Sequence, residues 1–129
     1  MSVCGLDHVN IVTADLAGTK RFYKDLLDLT DGDISALPAG VEAHWLADAT
    51  GRSIIHLQRF DPARHGAGRS SGPTGSIDHV ALDCTNYDGV RARCEALGVP
   101  YREGLVSPHF SQLFVTDPND VVLELNFRS

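Results

Sequence analysis

Residues 6–26, LDHVNIVTADLAGTKRFYKDL, align without gaps on residues 77–97, IDHVALDCTNYDGVRARCEAL, at an offset of 71 positions. Asp-His-Val recurs at residues 7–9 and 78–80, and Gly18 matches Gly89. Five identities are a weak signal alone, but the same order of predicted elements follows each copy, as expected of an internal repeat. We therefore interpret the chain as two copies of one supersecondary unit.

Each copy predicts a strand, a helix and three more strands. Apolar alternation and β-branched residues indicate strands at residues 6–12, 32–37, 41–47 and 52–59 in the first half and 77–83, 101–106, 111–115 and 121–127 in the second. Asp15 and Asn86 are suitable N-cap residues for the two helices, and Gly98 followed by Pro100 ends the second. The buried helix stripes are predicted at Leu16, Thr19, Phe22, Tyr23 and Leu26, and at Tyr87, Val90, Cys94 and Leu97.

The predicted fold class is α+β, with two βαβββ modules in a single domain. The first module covers residues 1–60 and the second residues 77–129. Residues 61–76, DPARHGAGRSSGPTGS, are rich in Gly, Pro and Ser and are interpreted as a linker without a pattern of its own. Because neither module of about 60 residues buries much surface alone, we expect their sheets to pair.

Composition excludes several classes of function. The 129 residues carry 11 Lys and Arg against 17 Asp and Glu, a net charge of −6, so no basic surplus is available for nucleic acid. No apolar run approaches the roughly 18 residues of a membrane span, and the N-terminus lacks the features of a secretory signal. Three cysteines without a CxxC pair disfavour a disulfide framework or a zinc ribbon. We expect a cytoplasmic protein that binds a small molecule, without nucleic-acid or membrane partners.

Four repeat-related side chains are the candidate metal ligands. The offset of 71 pairs His8 with His79, and an offset of 68 between the last strands pairs His56 with Glu124. If the halves pack about a twofold axis, all four converge. Imidazole and carboxylate suit a divalent Fe, Mn, Ni, Zn or Co ion, whose open positions would polarise a substrate oxygen.

Further polar and aromatic residues are candidates for substrate binding. Asn10, Gln58 and Asn126 each lie two residues past a candidate ligand and either bind substrate, orient ligands or simply line a wet pocket. His44 and Gln112, equivalent at offset 68, are expected in the pocket wall or facing solvent, and Phe114 in the wall or core. The remaining candidates are Arg69, Arg102 and Arg128 for an anionic substrate group, His109 as a loop acid or base, and His65, interpreted as a bystander.

At these residues the chain resembles the vicinal oxygen chelate superfamily, which includes glyoxalase I, methylmalonyl-CoA epimerase, extradiol dioxygenases, and fosfomycin- and bleomycin-resistance proteins. The resemblance covers nearly the whole chain and is most specific in LDHVNIVTADL, FYKDLLDL, IDHVALDC and QLFVTDPNDVVLELNF. It implies paired βαβββ modules that form a cup-shaped sheet, with helices outside, around a divalent metal. It also implies ligands at the four positions found from the repeat, and a homodimer.

The resemblance leaves the reaction open. The favoured version is a glyoxalase-like lyase or isomerase that acts through a metal-stabilised enolate, with Glu124 as the proton-abstracting base. Glyoxalase I has a glutamate at the position of His56 and an arginine at that of Val12, so glutathione is disfavoured as a co-substrate. The alternatives are a single-domain extradiol dioxygenase, with Fe(II) and with His56 as acid or base, and a metal-free drug-binding protein of the bleomycin-resistance kind.

Overall fold

The computed structural model describes residues 2–32, 42–67 and 74–129. The chain divides into two compact units, one formed by residues 1–24 and 28–69 and the other by residues 25–27 and 70–129. Each unit contains a four-stranded mixed sheet. The predicted α+β class with a repeated βαβββ module is confirmed.

The first half contains β1, α1, β2, β3 and β4, followed by the short helix α2. Strand β1 runs parallel to β4, while β3 is antiparallel to both β4 and β2, which gives the sheet order β1-β4-β3-β2. The elements are β1 (Val9–Thr13), α1 (Leu16–Leu27), β2 (Thr30–Asp31), β3 (Ala43–Ala47), β4 (Ser53–Arg59) and α2 (Pro62–His65).

The second half repeats this connectivity. Strand β5 runs parallel to β8, and the order β5-β8-β7-β6 matches that of the first sheet strand for strand. The elements are β5 (Val80–Cys84), α3 (Tyr87–Leu97), β6 (Tyr101–Val106), β7 (Phe110–Thr116) and β8 (Val122–Arg128).

The long helices begin in the same way. The Gly18 N–H donates to Asp15 Oδ1 at 2.9 Å, and the Gly89 N–H donates to Asn86 Oδ1 at 3.1 Å. A Cβ at Gly18 would lie 2.1 Å from Asp15 Oδ2, and one at Gly89 would lie 2.2 Å from Asn86 Nδ2. The glycine repeated in the sequence therefore makes room for the cap side chain. As predicted, α3 ends at Gly98, which has a φ of +67°.

One face of each sheet is the apolar core. In β8 burial alternates strictly, with Leu123, Leu125 and Phe127 buried and the residues between them only partly so. The helices contribute a buried stripe that follows the prediction, except that Phe22 and Tyr87 are half-buried and Leu97 is 49% exposed. The core side chains include Ile11, Leu16, Tyr23, Leu46, Ile55, Leu57, Val90, Cys94, Leu113 and Val115.

Three sequence predictions need correction or fall outside the described residues. The first strand of each half begins at Val9 and Val80, three residues later than predicted. The segment 61–76 is not patternless, because Asp61 caps the one-turn helix α2, with Pro62 in its first turn. Of the predicted strand at 32–37, residues 33–37 lie outside the described residues, and β2 precedes it. No helix in the described parts of the chain is long and apolar enough to cross a membrane.

Candidate metal and substrate site

His56 and Glu124, the candidate ligands in the last strands, lie on the sheet faces opposite the core. Strand register places Asn10 and Trp45 beside His56 in the first sheet. In the second sheet it places Ala81 and Phe114 beside Glu124. Because side chains directly opposite in neighbouring strands share a face, these residues form one polar face in each half.

In the first half, His8 and His56 are grouped around the only tryptophan of the chain, Trp45. The indole stacks on the His56 ring with centroids 4.1 Å apart and planes 4° apart. The His8 ring meets Trp45 edge-on at 4.6 Å, and its centroid lies 6.0 Å from that of His56. The structure therefore brings together the two candidate ligands of this half.

His56 is 8% exposed, and its Nε2 is buried without a hydrogen-bond partner in the structure. Burial is the main cause that lowers the pKa of His56 below its usual value, followed by the nearby charges of His8 and Arg64. A neutral imidazole with an unpartnered nitrogen is suited to bind a metal ion or to accept a proton.

A polar network continues along the same face. Asn10 Nδ2 donates to Gln58 Oε1 at 3.2 Å, and His65 Nε2 lies 3.3 Å from the same oxygen. Because the Asp61 N–H donates to His65 Nδ1, the proton of this ring sits on Nε2 and points at Gln58. His65 is therefore not a bystander: it helps to fix the Gln58 amide, whose Nε2 is left for other acceptors.

In the second half, His79 and Glu124 lie in contact. His79 Nε2 is 3.2 Å from Glu124 Oε2, and the Glu124 side chain is only 16% exposed. The hydrogen bond to Asp78 is the main cause that raises the pKa of His79, and the charge of Glu124 adds to it. The structure therefore also brings together the two candidate ligands of this half.

Gln112, expected in the pocket wall or facing solvent, is bound to the polar residues of this face. Its Nε2 donates to Glu124 Oε1 at 2.6 Å and to Asn126 Oδ1 at 3.1 Å, while its Oε1 accepts from the Leu105 N–H. Both amide hydrogens are therefore used within the protein. Gln112 holds the Glu124 carboxylate in place, and Asn126 belongs to the same network.

His44 does not belong to this set. It lies opposite Leu57 in the register, on the face away from His56, and Trp45 occupies the place beside His56. The counterpart of Trp45 in the second half is Phe114, which lies beside Glu124. The third strands are thus related by an offset of 69 rather than 68, and the equivalence of His44 with Gln112 is wrong.

Arg102 lies on the polar face of the second half, as Arg128 does. It lies opposite Phe114 in the register, with its guanidinium carbon 4.2 Å from the centre of that ring. No carboxylate among the described residues pairs with it, whereas Arg128 is bound to Asp83 at 2.8 Å. Arg69 lies outside the described residues. Of the three arginines considered from sequence, Arg102 is therefore the one placed to meet an anionic group beside Glu124.

The donor set fits a divalent ion, although the described residues contain no group of three or more His, Cys, Asp or Glu side chains arranged to hold one. The ligand-type side chains form one pair in each half. Two donors about 2.1 Å from one ion at near right angles lie about 3 Å apart, close to the 3.2 Å between His79 and Glu124. The unpartnered His56 Nε2 is a further available donor.

Sequence reasoning missed Asp7 and Asp78. Asp7 Oδ2 lies 2.5 Å from His8 Nδ1, and Asp78 Oδ2 lies 2.8 Å from His79 Nδ1. Alternation through a strand that began at residue 6 would place Asp7 on the face opposite His8, but the dipeptide precedes the strand in each half. The repeat of Asp-His itself was the signal that would have identified these residues.

Two βαβββ modules in one chain are the architecture expected from the resemblance to the vicinal oxygen chelate proteins. The family model described as the Glyoxalase/Bleomycin resistance protein/Dioxygenase superfamily matches residues 5–125, and the chain belongs to this superfamily. No curated protein matches the chain.

Several solved structures share the fold. A glyoxylase/bleomycin resistance protein/dioxygenase domain from Frankia sp. EAN1pec has a TM-score of 0.76 and 20% identity, covering 99% of this chain and 94% of that one. A variant of the fosfomycin resistance protein FosX from Listeria monocytogenes, complexed with Mn(II) and 1S,2S-dihydroxypropylphosphonic acid, has a TM-score of 0.73 and 18% identity, with coverages of 98% and 94%. A glyoxalase family protein from Bacillus anthracis has a TM-score of 0.72 and 16% identity, with coverages of 100% and 98%.

Proposed function

We propose that the protein is a divalent-metal-dependent enzyme of the lyase or isomerase kind, acting on a small molecule with adjacent oxygens. The proposed ligands are His8, His56, His79 and Glu124. Their two pairs share one ion, either within one chain or between two chains of a homodimer. The metal ion, when bound, supplies a Lewis acid that polarises the adjacent oxygens of the substrate.

The observation that carries this proposal is the environment of Glu124. Its carboxylate is largely buried on a face with His79, and one oxygen is fixed by Gln112. Burying a carboxylate is costly unless it is paired, and here both oxygens have partners. A carboxylate held in this way is suited to bind a cation or to take a proton from a carbon next to a carbonyl group.

His56 is the second group proposed to move a proton. Its lowered pKa keeps the imidazole neutral near pH 7, and its Nε2 has no partner in the structure. A base must reach the proton it removes, and a buried nitrogen without a partner is free to do so once a substrate is present. A His56→Gln variant distinguishes a metal ligand from an acid or base at this position.

Arg102 favours an anionic substrate. Its guanidinium, stacked on Phe114, supplies a positive charge on the face that carries Glu124, and no carboxylate of the described residues pairs with it. A carboxylate or phosphonate on the substrate would gain a charge-assisted hydrogen bond there. The diol phosphonate bound by the FosX relative is an anion of this kind, which makes fosfomycin a sensible member of an assay panel.

An extradiol dioxygenase is the second candidate. His8, His79 and Glu124 provide the two histidines and one carboxylate of the facial triad used by non-haem Fe(II) oxygenases. The buried, neutral His56 would then be the acid or base beside the bound catechol. Oxygen uptake separates this reaction from a lyase or isomerase reaction, which consumes none.

The first experiment measures the metal content of protein purified without added metal or chelator, beside the His79→Ala and Glu124→Ala variants. About one ion per chain, lost in both variants, supports the metal-dependent enzyme. Protein that remains empty and also refuses added Fe, Mn, Ni and Zn overturns it in favour of the metal-free binding protein.

The second experiment assays the loaded protein. The substrates are a panel of small anionic hydroxycarbonyl and dicarbonyl compounds. We expect the substrate proton on the carbon next to the carbonyl group to exchange with solvent deuterium, which NMR measures. Under anaerobic conditions this exchange is expected to persist. Oxygen consumption with catechols by the Fe(II) form, without any such exchange, would favour the dioxygenase instead. His56→Gln that keeps the metal but loses turnover assigns His56 as acid or base.

A further inference from the structure

The Asp-His dipeptide forms the same contact twice, in two halves whose sequences have otherwise diverged. In each case the Oδ2 of the aspartate lies within hydrogen-bond distance of Nδ1 of the following histidine. Successive side chains in a strand point to opposite faces, so such a contact requires the dipeptide to lie outside the strand. Both dipeptides do, because β1 begins at Val9 and β5 at Val80.

The chain before each dipeptide is also anchored in both halves. Arg52 Nη2 donates to the carbonyl oxygen of Leu6 at 2.5 Å. At the equivalent position of the second half, the Thr74 hydroxyl donates to the carbonyl oxygen of Ile77. Two chemically different side chains therefore fix the same backbone position, which holds each aspartate beside its histidine.

We propose that Asp7 and Asp78 are positioning residues, which keep the proton of His8 and His79 on Nδ1 and leave the Nε2 lone pair to face the metal ion. The hydrogen bond made by one ring nitrogen decides which nitrogen carries the proton in a neutral imidazole. Carboxylates that hold ligating histidines in this way are a general feature of metal sites. This inference rests on the metal-binding part of the proposed function.

The second half shows how Asp78 is placed to act on His79. His79 has a carboxylate at each nitrogen, with Asp78 at 2.8 Å from Nδ1 and Glu124 at 3.2 Å from Nε2. The closer contact belongs to Asp78, which favours the proton on Nδ1 when the ring is neutral, and a cation bound between Nε2 and Glu124 would take the place of a proton there. In the first half, the His8 ring is also held edge-on against Trp45.

The test reads the tautomer directly in metal-free protein. Long-range ¹H–¹⁵N correlation spectra at about pH 9.5, well above the ordinary histidine pKa, report which nitrogen of each ring carries the proton. We expect Nδ1–H for His8 and His79 in the unmodified protein. Asp7→Ala should move the proton of His8 alone towards Nε2, and Asp78→Ala that of His79 alone. Asp7→Asn and Asp78→Asn, which keep an acceptor oxygen, should restore part of the Nδ1–H form.

Titration with Mn(II) alone then measures the consequence. Each alanine variant should bind Mn(II) about 10- to 100-fold more weakly, the usual effect of removing such a partner. Asp88→Ala, which removes an exposed acid from α3, is the charge-matched control and should change neither the tautomer nor the affinity.

An unchanged tautomer in the alanine variants overturns the inference. So does a changed tautomer with unchanged Mn(II) affinity, because the aspartates would then orient the rings without helping the metal. If the unmodified protein binds no metal at all, the proposed function fails. The tautomer switch by itself would still support the aspartates as positioning residues for the Nε2 lone pairs.

Discussion

At the scale of single residues, the site is held by side-chain amides as much as by its charged groups. Gln112 is the clearest case, because both hydrogens of its amide are donated to Glu124 and Asn126. Gly104 belongs to the same arrangement: a Cβ there would lie 2.9 Å from Gln112 Oε1 and 2.7 Å from Phe114 Cε2. The absence of a side chain at Gly104 thus lets two neighbours keep their positions beside Glu124.

We predict that Gln112→Ala weakens Mn(II) binding by about 10- to 100-fold, because Glu124 loses the donor that orients it. Gln112→Glu should have a larger effect, since a second carboxylate would face Glu124 where the amide nitrogen now lies at 2.6 Å. Calorimetric titration with Mn(II) measures both. Ser111→Ala, on the neighbouring position of β7, is the control, and equal affinities for all three variants would contradict the role of Gln112.

His56 gives a prediction for pH dependence. Its pKa in the folded protein lies below the ordinary value of 6.5 because the ring is buried, so the unfolded chain binds the proton more readily. Stability therefore rises with pH between the folded pKa and about 6.5, and it is lost as the pH falls through this window. We expect the free energy of unfolding of metal-free protein to fall more between pH 7.5 and pH 5 than that of His56→Gln.

Urea unfolding at pH 7.5 and pH 5 checks this prediction. The change in the free energy of unfolding between the two pH values is compared for the unmodified protein and for His56→Gln. Identical pH dependence of the two would show that burial of His56 has no effect on the titration. The stacked Trp45, the only tryptophan, offers a second measurement, because its fluorescence should change as the neighbouring imidazole is protonated.

The sequence identified which polar residues of one strand share a face, but it did not identify which residues of the neighbouring strand lie beside them. Alternation placed Glu124 with Asn126 and His56 with Gln58 correctly, because a strand has a fixed period of two. It failed for His44 because the first half has one residue more than the second between its paired third and fourth strands, where the register shifts at Leu46 and Ala47. A slip of one position moves a side chain to the other face. No pattern in the sequence indicates this one-residue shift between strands, whereas the strand register of the structure shows it directly.

At the scale of elements, the helix starts show how local chemistry repeats. Asp15 and Asn86 both cap a long helix, but Asn86 has a φ of +65°, in the left-handed region, whereas Asp15 has a φ of −119°. Asparagine tolerates this conformation better than most residues with a side chain. The two caps therefore differ in what a substitution would cost.

We predict that Asn86→Ala lowers the free energy of unfolding by about 1–2 kcal/mol, since it removes the cap and leaves a Cβ at positive φ. Asn86→Gly should cost only a few tenths of a kcal/mol, because glycine is both a fair cap and free of the φ penalty. Denaturant unfolding of the metal-free protein measures the difference. Equal losses for the two variants would show that the left-handed conformation carries no cost at this position.

Elements with a strong period and clear end signals were predicted well, and the others were not. The helices had both an N-cap and an apolar stripe, so α1 and α3 begin where the sequence indicates. The first strands were predicted too long because Leu6 and Ile77 continue the apolar alternation, although both are exposed in the structure. Helix α2 was missed because one turn is too short to show a period.

For the molecule as a whole, metal binding shows whether the two halves of the repeat bind one ion together or one ion each. Each half offers its own pair of ligand-type side chains, so the chain can hold one shared ion or an independent ion in each half. The proposed function requires a shared ion, to which His8 and His56 of the first half and His79 and Glu124 of the second contribute.

One shared ion and two independent ions predict different effects of bound metal on the stability of the variants. A ligand at one hundred times its Kd stabilises a protein by about 2.7 kcal/mol, which for a chain of this size corresponds to a rise of very roughly 10 °C in Tm. With a shared ion, His8→Ala in the first half and His79→Ala in the second should each abolish most of the rise caused by Mn(II), and the bound metal should not exceed one ion per chain. Independent ions would leave each variant with about half of the rise and with one of two ions. Thermal unfolding with and without Mn(II), together with the metal content of each variant, therefore distinguishes one centre built by both halves from two separate centres.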